Sequence, residues 1–471
     1  MTTSALAADF LRFLPAEAVV TPDNAEYDGL RRVWNGMIDR LPLVILRPRN
    51  VAEVSRCVSV AATTSVPLSV RGGGHSFPGF STCDKGIVLD LSRLNAILAD
   101  PAVSTVNVEG GALLGDVDRA TAVYGMVVPA GVVSHTGAGG LTLGGGMGYT
   151  SRRFGMTVDN LLGVEMVMAD GRIIEVDAAS DPELFWGLRG GGGNFGVVTK
   201  FRFRMHPLGS VTVGQWSYPP ERCAEALVRL GEIAVDAPLE LSVTLSAAAS
   251  GLYVKAVHSG NEGDGEALVG RYSELAGQGE GGVSHPDFVQ LQSIGDEATR
   301  WGRRYYGRGG FIGPITPAFA ETVAECTATT PTDDSEIYMI QLGGAVSDVA
   351  EDATAYSGRS AGFYWLAQPI WDDPSEDAVC LAWGRQYGAA LAAQSQAGNY
   401  VNEQGETGRD TVMQAYGLAK YARLSKLKAR VDPKNLFRLN QNIVPSDGAF
   451  GKSNDVAETA AVARGRAARG S

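Results

Sequence analysis

Five cysteines in 471 residues, Cys57, Cys83, Cys223, Cys326 and Cys380, stand far apart and form no CxxC pair. An odd number at irregular spacing predicts neither a disulfide framework nor a zinc site. The five histidines, at 75, 135, 206, 258 and 285, show no HExxH-type spacing, so no metal site is assigned. No run of five or six basic residues occurs, and 40 Lys plus Arg against 52 Asp plus Glu leave a net charge of −12. That balance argues against a nucleic-acid partner. Apolar runs stay short of the roughly 18 residues of a membrane span, and the N-terminal MTTSALAADFLRFLPAE has no basic stretch leading a long apolar one. The expectation is a cytoplasmic protein without a membrane partner; the sequence leaves the oligomeric state open. With 45% apolar and 20% charged residues, the chain can bury large cores and is neither disordered nor collagen-like.

Glycine, by contrast, is in excess: 60 of 471 residues, about 13%, against a usual share of roughly 7%. Of these, 17 fall in three short windows, at 72–74, 131–148 and 187–196. The third contains Gly191-Gly-Gly-Asn-Phe-Gly196, a literal GxGxxG. A dinucleotide fingerprint must follow a strand and open a helix, whereas this one precedes the alternating strand Val197 to Met205 and reads as a turn into it. In the first, Arg71-Gly-Gly-Gly-His-Ser76 follows a strand. Its backbone N–H groups either converge on an anion such as a pyrophosphate or simply form a tight turn. The second, Gly131 to Gly148, interleaves Leu, Val and Met and lacks a P-loop lysine. Backbone laid against a large flat ligand accounts for it better than a linker does.

The length predicts two or three domains. From about 25 to 205, helix-like and strand-like segments alternate, which indicates an α/β or α+β layer architecture. Asn50 with Glu53 has the form of a helix cap, strands are expected at 67–70, 86–91 and 104–109, and Asp170-Gly171 marks a hairpin. From about 210 to 395 the chain is richer in Trp and Tyr, with strands at 240–245 and 252–258 and surface loops such as Gly277 to Gly282. A helix is expected over Tyr416 to Arg430, and beyond Gly451 an Ala/Arg/Gly-rich mobile tail.

The three glycine clusters in this order, followed by Tyr400-Val-Asn402 and by Asp432-Pro-Lys-Asn-Leu-Phe-Arg-Leu-Asn-Gln-Asn-Ile-Val-Pro445, resemble the FAD-linked oxidases of the berberine bridge enzyme-like group in the vanillyl-alcohol oxidase superfamily. The likeness spans about residues 25 to 445. It implies an α+β fold: a two-part PCMH-type FAD-binding domain plus a substrate domain with an antiparallel sheet flanked by helices. The parts would be residues 1–208 for FAD, 209–395 for substrate, 396–450 returning to the FAD domain, and 451–471 as tail. The resemblance makes His75 the residue bonded to the flavin 8α-carbon, with Arg71, Gly72, Gly73, Gly74 and Ser76 around the pyrophosphate. Gly131, His135, Thr136, Gly139, Gly140, Gly144, Gly146, Val197, Asn402, Asn440 and Asn442 would complete the cofactor site. Where many relatives carry a second linkage through cysteine, this chain has Val133. FAD attached through His75 only is therefore expected, with Cys83 a small buried hydrophobe. Thr136 stands where relatives admit dioxygen to the flavin.

The resemblance further implies a small-molecule substrate, alcohol or amine, that loses a proton to a side-chain base and a hydride to flavin N5, with O2 as acceptor. Tyr400 and Glu403 are both candidates for the base. Tyr364 and Trp365 point to opposite faces of one strand, and one of them should face the flavin; Tyr305 and Tyr306 are weaker candidates. The aromatic second domain points to a hydrophobic or polycyclic substrate. The runner-up activity is a flavin oxygenase of bacterial secondary metabolism using an oxygenated mono-covalent flavin. A different class is a non-enzymatic or reductase-type flavoprotein, in which Tyr400 and Glu403 are merely structural.

Overall fold

Asn50 starts the helix Val51–Ala61 as the sequence predicts: its Oδ1 accepts the Glu53 N–H at 2.9 Å, and Glu53 Oε2 accepts the Arg49 N–H at 2.7 Å. In the computed structural model, which describes residues 2–260 and 262–446, this helix packs Val54, Cys57 and Val58 on a small sheet. Its strands Val44–Leu46, Ile87–Asp90 and Leu68–Arg71 are parallel, with Val19–Val20 antiparallel at the edge. The parallel strand Leu68–Arg71 ends on the first glycine cluster. A second, antiparallel sheet has the order Ile97–Asp100, Thr105–Glu109, Val197–Arg204, Leu161–Val167, Ile173–Val176. The Asp170-Gly171 hairpin forms as expected, with Gly171 at φ +85°.

The largest sheet has seven antiparallel strands: Glu280–Ser284, Thr212–Tyr218, Gly251–His258, Leu241–Ala248, Glu336–Gln341, Phe363–Gln368 and Arg308–Ile312. Alternation along these strands decides what each face does. Val243, Leu245, Leu252, Val254, Ile337, Met339, Phe363 and Trp365 pack under the helices Cys223–Ala234, Pro317–Thr327 and Asp377–Ala392. The intervening residues Thr244, Ser246, Tyr253, Lys255, Tyr338 and Tyr364 face a cavity on the other side. The whole is an α+β fold.

Two expectations are corrected. The stretch 277–282 is not all loop, because Glu280–Ser284 pairs with Thr212–Tyr218 as an edge strand. Every residue of it is exposed and a β-carbon on Gly281 would lie 1.9 Å from Gln215 O, so backbone pairing without an apolar face makes the strand. The last helix runs Arg409–Val431 rather than from Tyr416, and breaks at Gly417, where φ is +72°. The expected tail, 451–471, lies outside the described residues.

That helix delivers Lys428, fully buried, to the third glycine cluster. Its Nζ donates to Asp432 Oδ2 at 2.6 Å, Asn194 O at 2.6 Å and Phe437 O at 2.9 Å. Asp432 also accepts the N–H groups of Leu436 and Phe437. Lys428→Met leaves a buried carboxylate unpaired and is expected to cost about 3–5 kcal/mol of unfolding free energy. Urea unfolding of the purified protein checks this; a loss below about 1 kcal/mol contradicts the role given to the pair.

Candidate active site

The first two glycine clusters meet backbone to backbone. A β-carbon on Gly73 would lie 2.3 Å from Gly137 N, and one on Gly137 would lie 2.3 Å from Gly73 N. Bare backbone is what lets the loops touch. They border a cavity of about 560 Å³, inside the roughly 300–1,000 Å³ range of cofactor and ligand sites. Of the residues expected there, Gly72, Gly73, Gly74, His75, Ser76, Gly131, Thr136, Gly139, Gly140, Val197, Tyr364, Tyr400, Asn402, Glu403 and Asn440 line it.

Five others lie behind the lining. Arg71 turns away, donating to Leu30 O with its guanidinium over the Trp301 ring. Gly144 backs onto Asn402, whose Oδ1 would be 2.1 Å from a β-carbon there. The Gly146 N–H donates to Tyr400 Oη at 3.1 Å. Asn442 keeps a buried Oδ1 without a partner among the described residues. His135 supports His75 from outside, its Nδ1 3.0 Å from His75 Nε2. Tyr305 and Tyr306 are not in the site: Tyr305 stacks on Trp34 at 3.8 Å, and Tyr306 donates to Glu406 at 2.7 Å.

His75 stacks on Trp34, ring centroids 4.2 Å apart, and burial together with the neighbouring His135 pushes its pKa down to about 3. It is a neutral imidazole at physiological pH. Val133 lines the cavity and no cysteine does. Cys83 is buried, its Sγ toward Ile87 O and its thiol pushed by burial up to about 12, so it packs as an inert apolar group.

Opposite the glycine loops stands the sheet face. Trp365 goes to the helix side, where its indole donates to Ser395 Oγ at 2.8 Å, and Tyr364 goes to the cavity. Tyr400 Oη accepts two N–H bonds, from Gly146 and from Asn402 Nδ2 at 2.9 Å. Burial nevertheless holds its pKa above the ordinary phenol value. Glu403 keeps a buried Oε2 with no partner among the described residues, and burial pushes its pKa up to about 7. Tyr364 faces it, and Tyr364 Oη has no hydrogen-bond partner among the described residues.

Several lining residues escaped sequence reasoning. Gly192, Gly193, Asn194 and Gly196 of the third cluster reach the cavity, as do Trp34, Lys255, Glu336 and Tyr338. Lys255 donates to Tyr149 Oη at 3.2 Å and is pushed by burial down to about 8, while burial raises Glu336 to about 7. The strand parity of Tyr364 could have flagged Tyr338 had the register been known. Trp34 offers no motif at all.

Residues 42–177 match the FAD binding domain family, and 399–444 the berberine and berberine-like family. An FAD-linked oxidoreductase of Dictyostelium discoideum is 35% identical over 88% of this chain and 92% of its own. The chain belongs to the berberine bridge enzyme-like FAD-linked oxidoreductases. Aclacinomycin-N/aclacinomycin-A oxidase of Streptomyces galilaeus is 28% identical over 90% of this chain and 89% of its own. The solved structure of 6-hydroxy-D-nicotine oxidase from Arthrobacter nicotinovorans superposes with TM-score 0.81 at 25% identity, covering 90% of this chain and 97% of that one.

The site of this FAD-linked oxidoreductase fits its cofactor. β-Carbons on Gly140 and Gly193, both on the cavity wall, would meet no protein atom within 4 Å. Asn440 Oδ1 is buried there without a partner among the described residues. Room beside bare backbone and an unpaired amide oxygen are what a large polar ligand would use. Gly73→Ala, by contrast, drives a methyl into Gly137. It is expected to lower flavin bound per chain, read from the visible absorbance of the purified protein, by about tenfold. Wild-type flavin content in this variant contradicts the packing argument.

Proposed function

We propose that the protein oxidises an alcohol or amine carbon of a small natural-product-type molecule, with FAD attached through His75 alone and dioxygen as final acceptor. FAD, when bound, accepts the hydride at N5. The chain binds, orients and deprotonates. The observation that carries this reading is Glu403: a carboxylate raised to about 7 on the cavity wall beside Tyr400 and Tyr364, with an Oε2 that has no partner among the described residues. A base near the working pH is the most effective kind.

Tyr400 plays the complementary part. Both acceptor positions of its hydroxyl are filled, by Gly146 and Asn402, so the neutral phenol has only its proton left to offer. It therefore donates to the substrate heteroatom, which steadies the negative charge that develops as Glu403 removes the proton. Tyr364 borders both side chains and shapes the pocket between them. Neutral His75 supplies the nucleophilic nitrogen for the linkage, and Val133 supplies none. Relatives named for oxidising 6-hydroxynicotine and aclacinomycin support a heterocyclic or polycyclic substrate.

Acid precipitation tests the linkage: a yellow pellet is expected from wild type and a colourless one from His75→Ala, and free FAD in the wild-type supernatant contradicts it. Stoichiometric peroxide on turnover supports the oxidase, whereas oxygen from labelled O2 in the product makes the enzyme an oxygenase. Deprotonated Glu403 is the active form, so kcat should rise with pH through about 7. Glu403→Gln should lose that rise together with about 10²- to 10⁴-fold in kcat, and Tyr400→Phe should keep the rise. A Glu403→Gln enzyme with wild-type kcat sinks the assignment.

A further inference from the structure

We propose that Lys255 and Tyr149 form an anion subsite on the sheet face, so that the substrate is a molecule of two or three rings carrying a carboxylate remote from the carbon that is oxidised. The inference names a substrate class within the function just proposed and rests on that reading of the cavity as the substrate site. Lys255 is 8% exposed and is the one ammonium or guanidinium group among the described residues that line the cavity. Its Nζ donates a single hydrogen bond, to Tyr149 Oη at 3.2 Å. No carboxylate among the described residues forms an ion pair with it, and Glu336 attracts it only through space. An ammonium has three donors, so two remain. A buried charge without a counter-charge is costly until something pairs with it.

The donor set selects the sign and shape of its ligand. Tyr149 follows Gly148 at the end of the second glycine cluster and is buried on the cavity wall. Its oxygen accepts from Lys255, and burial holds its pKa above the ordinary phenol value, so the neutral hydroxyl still has a proton to donate. An N–H from Lys255 and the O–H of Tyr149 match the two oxygens of a carboxylate. A substrate ammonium would instead meet a like charge. Glu336, further along the sheet, is engaged by the Ser246 hydroxyl.

Strand register sets how far this subsite lies from the reacting end. Lys255 stands opposite Thr244, Thr244 opposite Ile340, and Ile340 opposite Tyr364, on four successive strands. At a strand spacing of about 4.8 Å, the Cα atoms of Lys255 and Tyr364 are roughly 14 Å apart. Tyr364 packs on Tyr400, ring centroids 5.6 Å apart, and faces Glu403, so its end of the row is the one that holds the base. Thr244 and Ile340 floor the interval, with Ser246 and Tyr338 in the next row. A single ring reaches one end of this floor, whereas a skeleton of two or three rings reaches both.

The test measures binding to the purified holoenzyme rather than turnover. Two probes of one shape, biphenyl-4-carboxylate and biphenyl-4-carboxamide, are titrated at pH 7 by calorimetry. Wild type should bind the carboxylate at least about tenfold more tightly than the carboxamide. Lys255→Met should bring that ratio to about one with flavin content unchanged, and Tyr149→Phe should lower it about threefold. Equal affinities in wild type, or no measurable binding of the carboxylate, overturn the proposal. A ratio that survives in Lys255→Met overturns it too, and so does a Lys255→Met enzyme that loses its flavin together with the ratio, which makes Lys255 a cofactor contact. Failure here is distinct from failure of the proposed base. A Glu403→Gln enzyme with wild-type kcat sinks the base and leaves the ratio standing, whereas a wild-type ratio of one sinks the subsite and leaves the base.

Discussion

The site depends on one contact between backbones, that of Gly73 with Gly137. Each occupies the space where the other's β-carbon would be, so two loops distant in sequence close to the van der Waals limit. The same economy recurs along the second loop: a β-carbon on Gly139 would lie 2.9 Å from Gly110 O, and one on Gly148 would lie 1.9 Å from Ala130 O. This packing brings His75 and His135 within hydrogen-bond distance and leaves one wall of the cavity as bare main chain. Glycine here costs conformational entropy on folding, and what it secures is room for a flat ligand beside the peptide planes.

The opposite wall is built on the contrary principle, with side chains specified by strand parity. On Phe363–Gln368, odd positions pack under helices and even positions face the cavity, and all six residues are buried. A strand buried on both faces loses the polar–apolar alternation that would reveal its direction. The tryptophans Trp216, Trp365 and Trp383 fall on the helix side, while Tyr, Thr, Ser, Lys and Glu fall on the cavity side. The aromatic richness of the second half therefore serves mainly its core.

What was legible in the sequence follows the same division. Main-chain requirements leave marks: the clusters at 72–74 and 131–148, the Asn50 cap and the Asp170-Gly171 turn each declare a local conformation. His75 was legible because it sits inside such a mark. Residues whose role comes from long-range register left none. Lys255 faces the cavity because Gly251–His258 pairs with Leu241–Ala248 in one register, and a slip of one residue would turn it to the helices. The literal GxGxxG shows the limit from the other side: it is a turn into Val197–Arg204, as its context required, yet Gly192, Gly193 and Asn194 still reach the cavity because Lys428 and Gln441 bind Asn194 from the C-terminal segment.

The cavity's buried charges work against folding. Glu403 and Glu336 have pKa values raised by burial to about 7, so the folded chain holds those protons more tightly than the unfolded one. Their contribution to stability is complete below the ordinary carboxylate range and is lost as pH rises through about 7. Lys255 is displaced the other way, to about 8, so its protonated form disfavours the fold at every pH below that value. Burial disfavours the charged form of all three groups, and the coulombic attraction between Glu336 and Lys255 works against that penalty. A bound substrate with polar groups can pair with these side chains and relieve that cost, which couples occupancy of the site to stability of the sheet that carries it.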